Sequence, residues 1–194
     1  MADQPLVAVL AAGRGRRFGG GKLEAICAGK PLGRWALDAV AEAGFEPGLI
    51  VTGPRGVSFA ADWTVLVNPR PERGLGSSLA LAAQAALNGG APALLVLLAD
   101  MPLVTPGYLR ELAATPPPAA TRQPDGHAGV PALLDRALLA RVAELSGDRG
   151  AGPVLAEATL LDPTPGMLAD VDEPADVARV ECILRQAQDE RRSL

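Results

Sequence analysis

Leu6-Val7-Ala8-Val9-Leu10-Ala11-Ala12-Gly13-Arg14-Gly15-Arg16-Arg17-Phe18-Gly19-Gly20-Gly21-Lys22 carries the signal that decides how this chain folds. Its first half is a short apolar run that reads as a strand buried on both faces, the habit of parallel sheets covered by helices. Its second half has few Cβ atoms and carries three arginines and a lysine. Glycine lets backbone N–H groups approach an anion closely, and Arg14, Arg16, Arg17 and Lys22 would surround that anion with cations. A buried strand feeding such a loop predicts a site for a nucleotide or another polyphosphate.

Two familiar phosphate loops do not fit. A Walker A loop needs a glycine five residues ahead of Gly-Lys and a hydroxyl residue after it, but here Arg16 and Leu23 occupy those positions. The dinucleotide fingerprint G-x-G-x-x-G is met by Gly13 and Gly15, whereas Phe18 stands at its third glycine. The expected second strand, Leu49 to Thr52, also ends without a carboxylate to hold a ribose.

Composition narrows the class. The chain has 194 residues, 48% of them hydrophobic but only 3% aromatic, so its core must be built from Ala, Leu and Val. Small aliphatic residues suit helices laid close against a parallel sheet, and one α/β domain over residues 1–194 is expected, with a frayed tail from Gln188 to Leu194. A net charge of −4 argues against a general nucleic-acid binder. Cys27 and Cys182 are isolated and His127 is the single histidine, which supports neither a zinc cluster nor a disulfide framework. With no basic leader at the start and no apolar run near the ~20 residues of a membrane span, a cytoplasmic protein is expected.

Gly29-Lys30-Pro31-Leu32 predicts a turn before a helix over Trp35 to Ala41, and Trp63 to Val67 predicts a strand that delivers Asn68 to a strand end. Val57 to Asp62 reads as a short helix or turn. Arg70 to Gly76 is a second loop opening into an alanine-rich helix, where Ser77 and Ser78 serve equally well as N-caps or as ligand contacts. Ala93 to Leu98 is the most hydrophobic strand and runs into Ala99-Asp100-Met101-Pro102. In open α/β sheets ligands bind beyond the carboxyl ends of strands, so Asp100 should share a crevice with the glycine loop unless it caps the following helix, Pro106 to Ala113. Gly126 to Leu134 reads as a turn and an edge strand, because Pro131 is tolerated chiefly at edges. Helices are expected over Leu138 to Leu145, Pro153 to Ala158 and Ala175 to Gln188, with a last strand at Met167 to Val171. Asp172, at that strand's end, is a second carboxylate. Asp100 and Asp172 together suffice for a hard cation such as Mg²⁺, which takes few protein carboxylates and fills its shell with water and phosphate.

Taken together, Leu10-Ala11-Ala12-Gly13-x-Gly15-x-Arg17-Phe18-Gly19-x-x-Lys22, Gly29-Lys30-Pro31-Leu32, Leu98-Ala99-Asp100-Met101-Pro102 and Asp170-Val171-Asp172-Glu173-Pro174 resemble the MobA-like nucleotidyltransferases. Within that group, Arg73-Gly74-Leu75-Gly76-Ser77-Ser78-Leu79 and Gly147-Asp148-Arg149-Gly150-Ala151 are most similar to molybdenum cofactor cytidylyltransferase. The resemblance implies a three-layer α/β/α Rossmann-like fold of GT-A type with a mostly parallel central sheet. It implies transfer of CMP from CTP to the terminal phosphate of Mo-molybdopterin with Mg²⁺, the product serving a xanthine dehydrogenase-type molybdoenzyme or its chaperone. Carried onto this sequence, Leu10, Ala11, Ala12 and Gly13 would hold base and ribose, Arg14 and Gly15 would lie with them along the nucleotide, and Arg17 and Lys22 would meet the phosphates. Asn68, Gly76 and Ser77 would hold the nucleoside, and Asp100 and Asp172 the metal, with Arg17, Lys22 and Asp100 as the catalytic set. The chain departs from the group at Gly129-Val130-Pro131, where relatives tend to have Gly-His-Pro and His127 is displaced. GMP transfer, transfer to a sugar-phosphate-like acceptor, an NAD(P)H oxidoreductase using Arg55 and a non-catalytic nucleotide-binding protein are the alternatives.

Overall fold

In a computed structural model of the chain, residues 4–13, 15, 18–144, 154–169, 171 and 173–192 are described, the side chains of 187–192 excepted. Along the chain the elements are β1 (Leu6–Ala11), β2 (Ile26–Cys27), β3 (Lys30–Pro31), α1 (Arg34–Glu42), β4 (Leu49–Thr52), β5 (Thr64–Val67) and α2 (Leu75–Asn88). These are followed by β6 (Ala93–Leu98), α3 (Pro106–Ala114), β7 (Ala119–Arg122), β8 (Ala128–Asp135), α4 (Arg136–Ala143), β9 (Thr159–Leu161) and α5 (Pro174–Arg192). Seven strands form one sheet in the order β5-β4-β1-β6-β8-β7-β9. β1 pairs in parallel with β4 and β6, β4 with β5, and β7 with β9, while β8 runs against both β6 and β7.

The apolar runs of β1 and β6 lie side by side, with Val9 in register with Ile50 on one flank and Leu97 on the other. Their alternating residues feed two separate cores. On one face Val7, Val9, Ile50, Leu95 and Leu97 pack under α1 and α3 through Ala36, Leu37, Val40, Leu109 and Leu112. On the other, Ala8, Leu10, Val51, Leu94 and Val96 pack under α2 and α4 through Leu79, Ala82, Ala83, Leu138 and Leu139. Ala82, Ala83 and Ala86 are completely buried, so α2 lies close on the sheet, as the aromatic-poor composition requires. Gly48 marks another close approach, since a Cβ there would sit 2.1 Å from the Val7 carbonyl oxygen.

The β2–β3 hairpin forms where a turn was expected around Gly29-Lys30-Pro31-Leu32, with Ala28 and Gly29 at φ 48° and 88°. Asp38 ties Lys30 to Arg34, and the Lys30 ammonium lies 3.4 Å from the centre of the Trp35 ring. A third core forms here, with Cys27, Leu32 and Trp35 meeting Val171, Val180 and Leu184, so α5 docks on the hairpin.

Several expectations are corrected. β8 is an interior strand, not an edge: Ala120 pairs with Ala132 but Thr121 pairs with Gly129, so the ladder skips Val130 and Pro131 and the missing proline N–H breaks no β7 bond. The Pro131 carbonyl instead accepts a hydrogen bond from the Thr121 hydroxyl at 2.7 Å. β7 and β9 are additional strands; of the strand expected from Met167 to Val171, Met167 and Leu168 lie in a turn, Ala169 and Val171 belong to no strand, and Asp170 lies outside the described residues. Val57 to Asp62 forms bends and turns, closed at Trp63 N–H to Ala60 C=O. Of the helix expected from Pro153 to Ala158, Pro153 lies outside the described residues and Leu155–Ala158 is a turn. The backbone of the expected frayed tail continues as helix through Arg192. Among the described residues, no helix is long and apolar enough to cross a membrane.

Candidate active site

The carboxyl ends of β1 and β6 lie next to each other, so the loops that leave them meet. After β1 the chain turns on Gly15 at φ 51°, whose carbonyl accepts the amides of Phe18 (3.0 Å) and Gly20 (3.1 Å). Gly19, Gly20 and Gly21 then follow in the left-handed region at φ 82°, 94° and 69°, a succession that side chains with a Cβ rarely adopt. This brings Lys22 onto a 3₁₀ turn over Lys22–Glu24, buried to 8% exposure. From the other strand comes Asp100, and Lys22 Nζ donates to Asp100 Oδ2 at 2.8 Å. The Asp100 side chain is 32% exposed, so the pair has a dry side and an open side. Thr105, not Asp100, caps α3 by accepting the Tyr108 amide at 3.2 Å, which leaves the helix-cap explanation of Asp100 without a role.

Over this pair opens a cavity of about 400 Å³. Leu10, Ala11, Ala12, Gly13, Gly15, Lys22 and Asp100, all expected nucleotide contacts, line it. Its far wall is the N-terminus of α2, with Gly74, Leu75 and Ser78, and Pro71 and Glu72 beside them. The α2 N-cap is Gly74 at φ 81°, with no side chain capping it, so orphan amides and the positive end of a fourteen-residue helix border the cavity. A second cavity of about 910 Å³ adjoins it through Ala11, Gly13 and Lys22 and extends along Gly19–Gly21 and residues 53–58. Arg55 lines that second space.

Asn68, Gly76 and Ser77 stand behind the wall of the first cavity. Asn68 is 2% exposed; its Nδ2 donates to Ser77 Oγ and Ser78 Oγ, both at 2.9 Å, and its Oδ1 accepts the Arg70 amide at 2.9 Å. Ser77 Oγ donates to the Gly74 carbonyl at 2.8 Å. The serines are therefore not N-caps but the third and fourth residues of the helix, and Asn68 fastens the end of β5 to them. Ser78, which with Ser77 was expected either as a cap or as a ligand contact, lies on the wall, and Pro71 and Glu72 are wall residues that carried no signal in the sequence. The Gly76-Ser77-Ser78 run pointed to this helix end but not to which hydroxyl faces inward.

Arg14, Arg17 and Asp172 lie outside the described residues, as do Asp148 and Arg149. Val171, beside Asp172 in sequence, is fully buried in the core under α5. The amide of Glu173 donates to Asp176 Oδ2 at 3.0 Å, so Asp176 answers the start of α5. His127 is exposed in the β7–β8 turn, where its amide donates to Asp125 Oδ1 at 3.0 Å, as expected of a polar loop residue.

A doubly covered, mostly parallel sheet with a glycine loop, a helix N-terminus and a Lys–Asp pair at one crest is a framework for binding the phosphates of a nucleotide. Residues 7–163 match the MobA-like NTP transferase domain, and the chain belongs to that family. It is 28% identical over 186 residues to the purine catabolism protein PucB of Bacillus subtilis, covering 86% of this chain and 91% of PucB. The crystal structure of Rv0371c from Mycobacterium tuberculosis superposes with a TM-score of 0.78 at 27% identity, over 93% of this chain and 98% of the other. A complex of Rv0371c with manganese superposes at 0.72 and 25% identity, over 91% and 97%. A nucleotidyl transferase from Methanothermobacter shares the fold at a TM-score of 0.78 and 23% identity, over 96% and 100%. The chain is thus a nucleotidyltransferase of the MobA-like family, which displaces the dehydrogenase reading of Gly13-x-Gly15.

Proposed function

We propose that this chain, acting in the cytoplasm as one nucleotidyltransferase domain over residues 1–194, transfers CMP from CTP to the terminal phosphate of Mo-molybdopterin. A phosphate oxygen of the acceptor attacks the α-phosphorus of CTP, the bond from that phosphorus to the β-phosphate bridge breaks, and pyrophosphate leaves with the electron pair. The single observation that carries the reading is the Lys22–Asp100 pair set between the glycine loop and the open α2 N-terminus in one cavity. Phosphoryl-type transfer needs positioning and charge neutralisation more than a covalent protein nucleophile.

Lys22, with Arg17, neutralises charge on the α-phosphate and the departing pyrophosphate. The backbone from Leu10 to Gly15 and the α2 N-terminus hold the nucleoside, with Asn68 and Ser77 fixing that helix end and Ser78 on the wall. The Asp100 donor set fits a hard divalent cation: Oδ2 is paired with Lys22, and no protein hydrogen bond meets the other oxygen among the described residues. By extension from the manganese complex of Rv0371c, Asp100 and Asp172 are proposed to hold Mg²⁺, which would supply charge neutralisation at the triphosphate. The choice of CTP rests on the resemblance carried by Arg73-Gly74-Leu75-Gly76-Ser77-Ser78-Leu79 and Gly147-Asp148-Arg149-Gly150-Ala151. PucB is a purine catabolism protein, and xanthine is a purine, which accords with a xanthine dehydrogenase-type recipient or its chaperone.

Calorimetric titration with CTP, GTP, ATP and UTP in Mg²⁺ tests the nucleotide assignment. CTP should bind tightest, and a preference for GTP would redirect the assignment to guanylyl transfer.

A further inference from the structure

Beyond the candidate active site, the sheet ends on one side in β5, an edge strand with no covering element among the described residues. Val65 and Val67 are 50% and 53% exposed, and the strand carries no lysine, proline or bulge of the kind that usually protects an edge. The amides of Thr64 and Asn68 point to β4, donating to Gly48 C=O at 2.9 Å and Thr52 C=O at 2.8 Å. By the two-residue alternation of a strand, the N–H and C=O groups of Val65 and Val67 point away from the sheet.

We infer that β5 pairs with β5 of a second copy of this chain, antiparallel about a two-fold axis at Leu66. The sequence around it, Asp62-Trp63-Thr64-Val65-Leu66-Val67-Asn68-Pro69-Arg70, is self-complementary in that register. Val65 faces Val67 of the other copy, and these are the residues whose backbone groups are available to exchange both hydrogen bonds. The two valines share one face of the strand, so the two-fold axis gathers four of them into one apolar patch. Four residues out from the axis on either side, Asp62 faces Arg70 of the other copy. Both are exposed, and neither has a side-chain partner among the described residues. Pro69, lacking an N–H, ends the ladder one step beyond Asn68. The product is a continuous fourteen-stranded sheet whose centre adjoins the loop Pro69–Glu72 that borders both cavities.

Sedimentation velocity over a concentration series tests this pairing. The unaltered chain should pass from monomer to dimer as concentration rises. Val65→Lys and Val67→Lys should each raise the dissociation constant about tenfold or more, by placing like charges across the axis. Asp62→Arg and Arg70→Asp should each weaken the dimer, and the double exchange should restore it. Thermal melting of each variant shows that it is folded, as changes at exposed positions allow. A chain that stays monomeric at every concentration overturns the inference. So does a dimer indifferent to both lysines, or a charge exchange that fails to restore association.

Discussion

Lys22 and Asp100 are 78 residues apart in sequence, yet their side chains meet at 2.8 Å where β1 and β6 end. Each is brought there by a distinct device. Three successive left-handed glycines deliver Lys22, and the most hydrophobic strand of the chain delivers Asp100. A buried strand cannot hold an ionised carboxylate in its interior, so Asp100 falls at the first position where water and ligands reach.

Lys22→Ala should lower kcat/KM by about 10²- to 10³-fold, because the lost cation is needed most where negative charge develops. Its ion pair is open on the Asp100 side, so the melting temperature should move little. Comparing turnover with thermal melting checks this, and equal losses in both would make the lysine structural.

Asp100→Ala should abolish CMP transfer with the fold retained. Asp100→Asn, which keeps an acceptor for Lys22 but removes the charge, should be nearly as inactive. Near-normal turnover of either variant at saturating Mg²⁺ would remove Asp100 from the metal site.

Asn68→Ala should act through the wall behind the nucleoside. Two donated bonds, the one to Ser78 buried and the one to Ser77 part-buried, and one accepted bond are lost, a destabilisation of about 2–3 kcal/mol. The KM for nucleotide should rise as the α2 N-terminus loosens. Urea denaturation and initial rates measure the two effects, and unchanged stability would contradict the fastening role.

Stability should decline in alkali through Cys27. Burial, followed by the Glu181 carboxylate, pushes its thiol above the ordinary value of 9.0, against a pull downward by Arg185. The unfolded chain therefore loses this proton first, so the contribution is complete below about pH 9 and is lost as pH rises toward the folded value. Burial pushes the Tyr108 phenol up from 10.0 in the same sense. Melting curves from pH 7 to 11 should fall less steeply for Cys27→Ala than for the unaltered chain, once each is referred to its own value at pH 7.

The parts of this fold legible in the sequence were those with strong local patterning. Leu6–Ala11 and Ala93–Leu98 announced themselves as continuous apolar runs, and glycines and prolines punctuated α1 to α3. Legibility failed where the deciding partner is distant. Pro131 looked like an edge residue because nothing in its own sequence shows that Thr121 skips two residues to pair with Gly129. β7 and β9 are four and three residues long, too short for a period to register, and β7 follows a run of prolines. At the site, Leu10 to Gly13, Gly15, Lys22 and Asp100, which line one cavity, could be singled out in the sequence because strand ends collect ligands. Ser78 could not, since only the Asn68 clasp determines which serine lies on the cavity wall.

The most direct test of the proposed reaction is to incubate the chain with labelled CTP, Mg²⁺ and Mo-molybdopterin and to follow pyrophosphate and dinucleotide together. Stoichiometric release of pyrophosphate with formation of molybdopterin cytosine dinucleotide is expected, and Asp100→Ala should abolish both. No product with CTP, and a dinucleotide formed with GTP in its place, would contradict the proposed reaction.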